Sequence, residues 1–113
     1  MQRDDLVRVR HMLDAAREAV ALCAGRSRGE LDTNRLLNLS LVRLLEIVGE
    51  AARSTSPEFR AEHAQIAWNK AAGMRDRLIH GYFDVNLDIV WGTVTEDLPP
   101  LIAQLEKVLA AGD

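Results

Sequence analysis

The sequence predicts an all-α fold: an antiparallel bundle of four main helices with an extra short helix, in a single domain spanning residues 1–113. Three observations point that way. Only 7 glycines and 3 prolines punctuate the chain, and most of them fall where helix-length segments meet. Within those segments apolar residues recur at steps of three and four, the period of one helix face. An apolar fraction of 48% beside 27% charged residues is that of a globular domain rather than a disordered chain.

The elements follow in order. Leu6, Val9, Leu13, Ala16, Val20 and Cys23 form one stripe on a first helix, which fades at "AGRSRGE". Asp32 is the candidate N-cap of a second helix. Its segment "LLNLSLVRLLEIVGEAA" is apolar over far more than a third of its circumference, so it is central or covered from two sides. A small bundle alone leaves part of such a surface bare, which hints at self-association. Ser56 followed by Pro57 makes an N-cap and N1 pair for a short helix through "EFRAEH". A third main helix is expected from Trp68 to His80 or Tyr82, with Gly81 as its C-terminal break. Asn86 then caps a fourth, whose stripe is Ile89, Val90, Thr93, Val94 and Leu98. Pro99 and Pro100 either kink or break it, with Asp97 as candidate second N-cap for a continuation through "LIAQLEKVLAA".

Composition narrows the function. A net charge of −3 and a pI near 5.6 argue against broad electrostatic binding to nucleic acid, so any such site is local. With 4% aromatic residues, a wide base-stacking platform is also excluded. Cys23 is the single cysteine, which removes disulfides within the chain and multi-thiolate zinc sites and fits a reducing, cytoplasmic address. No apolar run approaches the roughly 20 residues of a membrane span, and the N-terminus does not read as a signal peptide. His11, His63 and His80 lack metal-ligand spacing, and no glycine-rich phosphate loop is present, so neither metal nor cofactor is expected.

Chemistry concentrates in "GMRDRLIHGYF", residues 73–83. Four residues apart on a helix, Asp76 lies beneath His80 and can hold one imidazole nitrogen, raising the histidine towards a useful acid–base range. Arg75 and His80 are five apart and diverge by about 140° on a straight helix. They converge only if the helix unwinds near Gly81 or a second chain completes the site. Folding alone also accounts for each residue: Arg75 and Asp76 as a solvated ion pair, His80 at a helix C-terminus, Tyr82 as a half-buried packing residue. Gly73 in mid-helix costs about 1 kcal/mol relative to alanine, which points to a close backbone approach.

The run "GMRDRLIHGYFDVNLDIVWGTVTEDLPPL", with "IVGEAA" upstream and "IAW" just before it, resembles the HepT-like branch of the HEPN superfamily. The similarity extends from about Leu37 to Leu105, and helix one matches only in character. HEPN ribonucleases carry Arg, a polar residue, three further residues and His, here Arg75, Asp76, "RLI" and His80. HepT-like members add a tyrosine two residues later, here Tyr82. Ala67 stands where many relatives have proline.

The resemblance implies an HEPN-like helical bundle that forms a homodimer, with two Arg/His motifs facing a shared cleft. It implies the toxin of a type VII-like toxin–antitoxin pair, a metal-independent endoribonuclease acting on RNA. Its partner would be a minimal nucleotidyltransferase antitoxin that places AMP units on Tyr82. In that scheme His80 is the base, Arg75 stabilises the phosphorane charge and Asp76 orients His80. Lys70 and Arg77 are candidate phosphate-positioning residues, although a solvated surface charge also describes each. A competing reading is a non-catalytic helical dimer that uses the same cleft to bind the nucleotidyltransferase or a nucleotide.

Overall fold

The computed structural model describes residues 2–78 and 85–112, and the described residues form helices without a strand element. In chain order they are α1 (Gln2–Cys23), α2 (Glu30–Thr33), α3 (Arg35–Ser54), α4 (Pro57–Glu62), α5 (Trp68–Ala72), α6 (Met74–Leu78) and α7 (Leu87–Gly92). A π-helical turn at Thr93–Asp97 follows and leads into α8 (Leu98–Gly112). One apolar core joins these elements, and the all-α bundle expected from the sequence is the observed fold class.

On α1 the buried stripe is Val9, Met12, Leu13, Ala16, Ala19 and Cys23, spaced by helix turns. This face packs against α3 and α8. Asp5, near the start of α1, meets Ser56, just past the end of α3, so the two helices run antiparallel. Arg17 on α1 pairs with Glu106 on α8. A turn at Gly25, whose φ of 75° suits a residue without a side chain, leads away from α1.

The start of the second main helix differs from expectation. Asp32 is not its N-cap; it lies inside the short α2, where its carboxylate is 3.2 Å from Arg28. Asn34 has the extended backbone a cap requires, and its side chain accepts from the Leu37 N–H at 3.0 Å. One turn of helix therefore precedes the cap, giving a second short helix beside the expected α4. Ser56 does cap α4, accepting from the Phe59 N–H at 3.2 Å, with Pro57 at the first helical position.

Helix α3 is covered from two sides, by α1 and by α5 with α6. Leu37, Leu41, Leu44, Leu45, Val48 and Ala52 point into the core, yet Leu36 and Leu39 remain 77% and 50% exposed. Gly49 allows the closest approach. A methyl group there would lie 3.3 Å from the Ala72 carbonyl oxygen and 3.4 Å from that of Ala71.

The third main helix is not continuous. Gly73, at φ −90° and ψ 4°, separates α5 from α6, and its N–H donates to the Asn69 carbonyl at 3.0 Å. Glycine's low helix propensity makes this the weakest link of the segment. The expected break at Gly81 lies outside the described residues.

Asn86 caps α7, accepting from the Ile89 N–H at 3.1 Å, as the sequence predicts. The diprolyl neither ends the helix nor makes Asp97 a cap. In an α-helix the Pro99 and Pro100 rings would collide with the carbonyls four residues back. The π-helical turn widens that stretch, with the Leu98 N–H reaching back to the Thr93 carbonyl. Helical backbone thus continues into α8, whose Leu98, Leu101, Leu105 and Val108 are buried.

Candidate functional site

The candidate residues hang on a short, supported platform. Trp68 opens α5 while buried, its indole N–H donating to the His63 carbonyl at 3.0 Å and its ring set edge-on to Phe59. The His63 ring lies against Phe59 with centroids 4.3 Å apart, a packing role. Met74 then drives the first turn of α6 into the core. A five-residue helix such as α6 has little stability of its own. Its orientation comes from what holds it.

Two ion pairs tie α6 to α3. Arg75 donates through Nε to Glu46 Oε2 at 2.7 Å, and Arg53 Nη2 donates to Asp76 Oδ2, also at 2.7 Å. Glu46 and Arg53 are seven residues apart and so share one face of α3. Adjacent motif residues are thus drawn to opposite charges on a single helix. Glu46 is also 3.7 Å from Arg43, which reaches Glu50 at 3.5 Å. The Glu46 hydrogen bond and charge raise the pKa of Arg75 above its ordinary value, securing its positive charge.

Lys70 and Arg77 turn elsewhere. Lys70 Nζ is 3.0 Å from Asp97 in the π-helical turn, and Arg77 Nη1 donates to the Lys70 carbonyl at 3.0 Å. Arg77 Nη2 is buried with no hydrogen-bond partner among the described residues. The site residues therefore divide, Arg75 and Asp76 facing α3 while Lys70 and Arg77 face the π-helical turn. His80 and Tyr82 lie outside the described residues, and so does the expected Asp76–His80 contact.

An open groove of about 350 Å³ between α1 and α3, lined by Val7, His11 and Ile47 among others, borders the same charged ladder at Glu50. Among the described residues there is no group of three His, Cys, Asp or Glu side chains placed to hold a metal ion. Nor is any described helix long and apolar enough to cross a membrane.

Glu46 was not singled out by sequence. Its available signal was a pair of acids, Glu46 and Glu50, four apart on a largely apolar helix, where like charges repel unless cations lie between them. Arg43 on α3 itself reaches both acids, but the second cation on Glu46, Arg75, depends on the pairing of α3 with α6, which no local pattern encodes.

The family model "Ribonuclease HepT-like" matches residues 12–108, nearly the whole chain. The chain belongs to the HepT-like family. It is 37% identical over 99 residues to "Putative RNase TTE0752" of Caldanaerobacter subterraneus subsp. tengcongensis, covering 88% of each chain. It is 44% identical over 69 residues to "Probable ribonuclease HepT" of Thermococcus cleftensis, covering 61% of this chain and 63% of that one. A third relative, "Putative RNase MJ1380" of Methanocaldococcus jannaschii, is 30% identical over 97 residues, 86% of this chain and 89% of that one. No solved structure matches the chain. HepT-like membership gives the Arg75 platform a chemical context that its geometry alone does not.

Proposed function

We propose that this HepT-like chain is the toxin of a type VII-like toxin–antitoxin pair, a metal-independent endoribonuclease that works as a homodimer. The observation that carries the reading is Arg75, half exposed on a short helix and held by one edge of its guanidinium, in a chain of this family. In the proposed reaction His80 takes the proton from a ribose 2′-hydroxyl. The freed oxygen attacks the adjacent phosphorus, the bond to the 5′-oxygen breaks, and a 2′,3′-cyclic phosphate remains. His80 of the second copy returns a proton to the departing 5′-oxygen. Arg75 binds the charge that grows on the phosphorane, since its fork spans two phosphate oxygens.

Asp76 has two carboxylate oxygens, and Arg53 engages Oδ2. In this reading the carboxylate also orients His80, one turn further on. Lys70 and Arg77 serve as outlying phosphate contacts for RNA that extends towards the π-helical turn. A minimal nucleotidyltransferase partner transfers AMP from ATP to the Tyr82 hydroxyl, whose oxygen loses its proton and displaces pyrophosphate, and the added bulk and negative charge exclude RNA from Arg75.

The test is cleavage of RNA by purified protein in chelator, with product ends analysed for cyclic phosphate. Wild type should cut, and His80→Ala should be slower by a factor of about 10² to 10⁴. Equal cutting by both rejects the catalytic role of His80, and cutting by neither leaves a dimer that only binds its partner or a nucleotide. Co-expression with the nucleotidyltransferase should add mass in AMP units to wild type and none to Tyr82→Phe.

A further inference from the structure

We propose that Glu46 is the positioning residue for Arg75, fixing the guanidinium so that its two terminal nitrogens face the scissile phosphate. This rests on the ribonuclease reading above. Arginine has five N–H donors, one of them on Nε. Glu46 engages Nε at 2.7 Å and so occupies that side of the guanidinium, which leaves the edge formed by the two terminal nitrogens for paired phosphate oxygens.

The supporting side is the more rigid of the two. Glu46 sits on a 20-residue helix anchored by buried Leu45 and Val48, and its side chain is 21% exposed. Arg75 sits on a five-residue helix with its side chain 50% exposed. Left alone, a long arginine side chain samples many rotamers, and phosphate binding would have to order it at each encounter. The carboxylate is itself braced, with Arg43 3.7 Å from Oε1 while Oε2 serves Arg75.

Polarity also fixes the register. Along α3, Glu46 precedes Arg53 by two turns, and along α6 Arg75 precedes Asp76. Exchanging partners would set Arg75 against Arg53 and Asp76 against Glu46, two like-charge contacts. A carboxylate near a phosphate site is an electrostatic penalty, but Arg43 offsets its charge and the surroundings are solvated, where such interactions are weak. Orientation of the fork is the larger effect.

The experiment places Glu46→Ala, Glu46→Asp and Glu46→Gln in wild-type and Arg75→Ala backgrounds, with folding checked by circular dichroism. Cleavage and binding of a fluorescein-labelled RNA are both measured. Glu46→Ala should lower the cleavage rate about tenfold to hundredfold. Glu46→Asp keeps the charge but shortens the reach and should behave alike, whereas Glu46→Gln keeps an acceptor at the same reach and should recover most of the rate. In the Arg75→Ala background none of the three should cost anything further. Wild-type rates in Glu46→Ala, or an equal loss with and without Arg75, overturn the proposal while leaving the ribonuclease reading intact. If wild type cuts no RNA, that reading fails by itself and RNA binding decides: an affinity that Glu46→Ala weakens only when Arg75 is present upholds the positioning role. RNA binding indifferent to Glu46, or no RNA binding at all, overturns it.

Discussion

The carboxylate of Asp5, 2% exposed near the start of α1, accepts from both the backbone N–H of Ser56 at 2.8 Å and its hydroxyl at 2.7 Å. Ser56 in turn caps α4, so one acid near the start of the chain locks the corner where α3 ends and α4 begins. Burial alone would raise this carboxyl, but the two Ser56 hydrogen bonds and nearby Arg8 outweigh it, and the net shift is downward from 3.8. A group depressed in the folded state adds stability that is present above its unfolded value and lost as pH falls through its folded one. Asp5→Asn should lower unfolding free energy at neutral pH by about 1–3 kcal/mol. Its deficit against wild type should close as denaturation is measured at progressively lower pH, below 3.8. A deficit that stays constant into strong acid would show that the ionised form plays no part.

The cap of α3 offers a sharper contrast between two neighbours. Asn34 accepts the Leu37 N–H, whereas Asp32 has only an exposed pairing with Arg28. Asn34→Ala should therefore cost about 1 kcal/mol in urea denaturation. Asp32→Ala should stay within about 0.5 kcal/mol of wild type. The reverse ranking would restore Asp32 as the cap.

This pair also shows where sequence reading reaches its limit. Ser56 was legible as a cap because proline follows it at the first helical position, and Asn86 because it precedes an apolar-periodic run. Asp32 and Asn34 are equally good caps by type, and the choice depends on whether a single turn of helix forms between them. The stripes on α1, α3 and α8 were legible because they repeat over several turns. The break at Gly73 and the π-helical turn before Pro99 were not, because each is one local compromise inside a longer helix-compatible pattern. At the site, Arg75 and Asp76 stood out through motif spacing. Their partners Glu46 and Arg53 are 29 and 23 positions away, a tertiary fact.

Gly49 tests how the core positions α6. A methyl group there would press on the Ala72 and Ala71 carbonyls at 3.3 and 3.4 Å, immediately before Gly73 and the helix that carries Arg75. Replacing glycine by alanine favours a helix by about 1 kcal/mol, while overpacking costs about 1–3 kcal/mol. Backbone carbonyls yield only if α5 itself moves, so Gly49→Ala should be a net destabilisation of about 1 kcal/mol. The thermal midpoint should fall, and RNA cleavage with it. A raised midpoint would mean that α5 gives way freely.

Leu36 and Leu39 bear on the homodimer of the proposed function. They are 77% and 50% exposed, while Leu37, Leu41, Leu44, Leu45 and Val48 of the same helix are buried. Leu39, Arg43 and Glu46 follow at steps of four and three, placing the apolar end of that face in line with the Glu46–Arg75 pair. A cleft shared by two copies across Arg75 would lay this end against the second copy. Leu36→Glu with Leu39→Glu should then convert a dimer to a monomer in sedimentation velocity, with helical content unchanged because neither residue supports the core. Cleavage should vanish with the dimer, since in the proposed reaction the proton for the 5′-oxygen comes from the other copy. A dimer that survives both substitutions would move the interface off this end of α3. A monomer that still cuts would require a single chain to bring Arg75 and His80 together by itself, which the 140° divergence of these two positions on a straight helix, at about 100° per residue, speaks against.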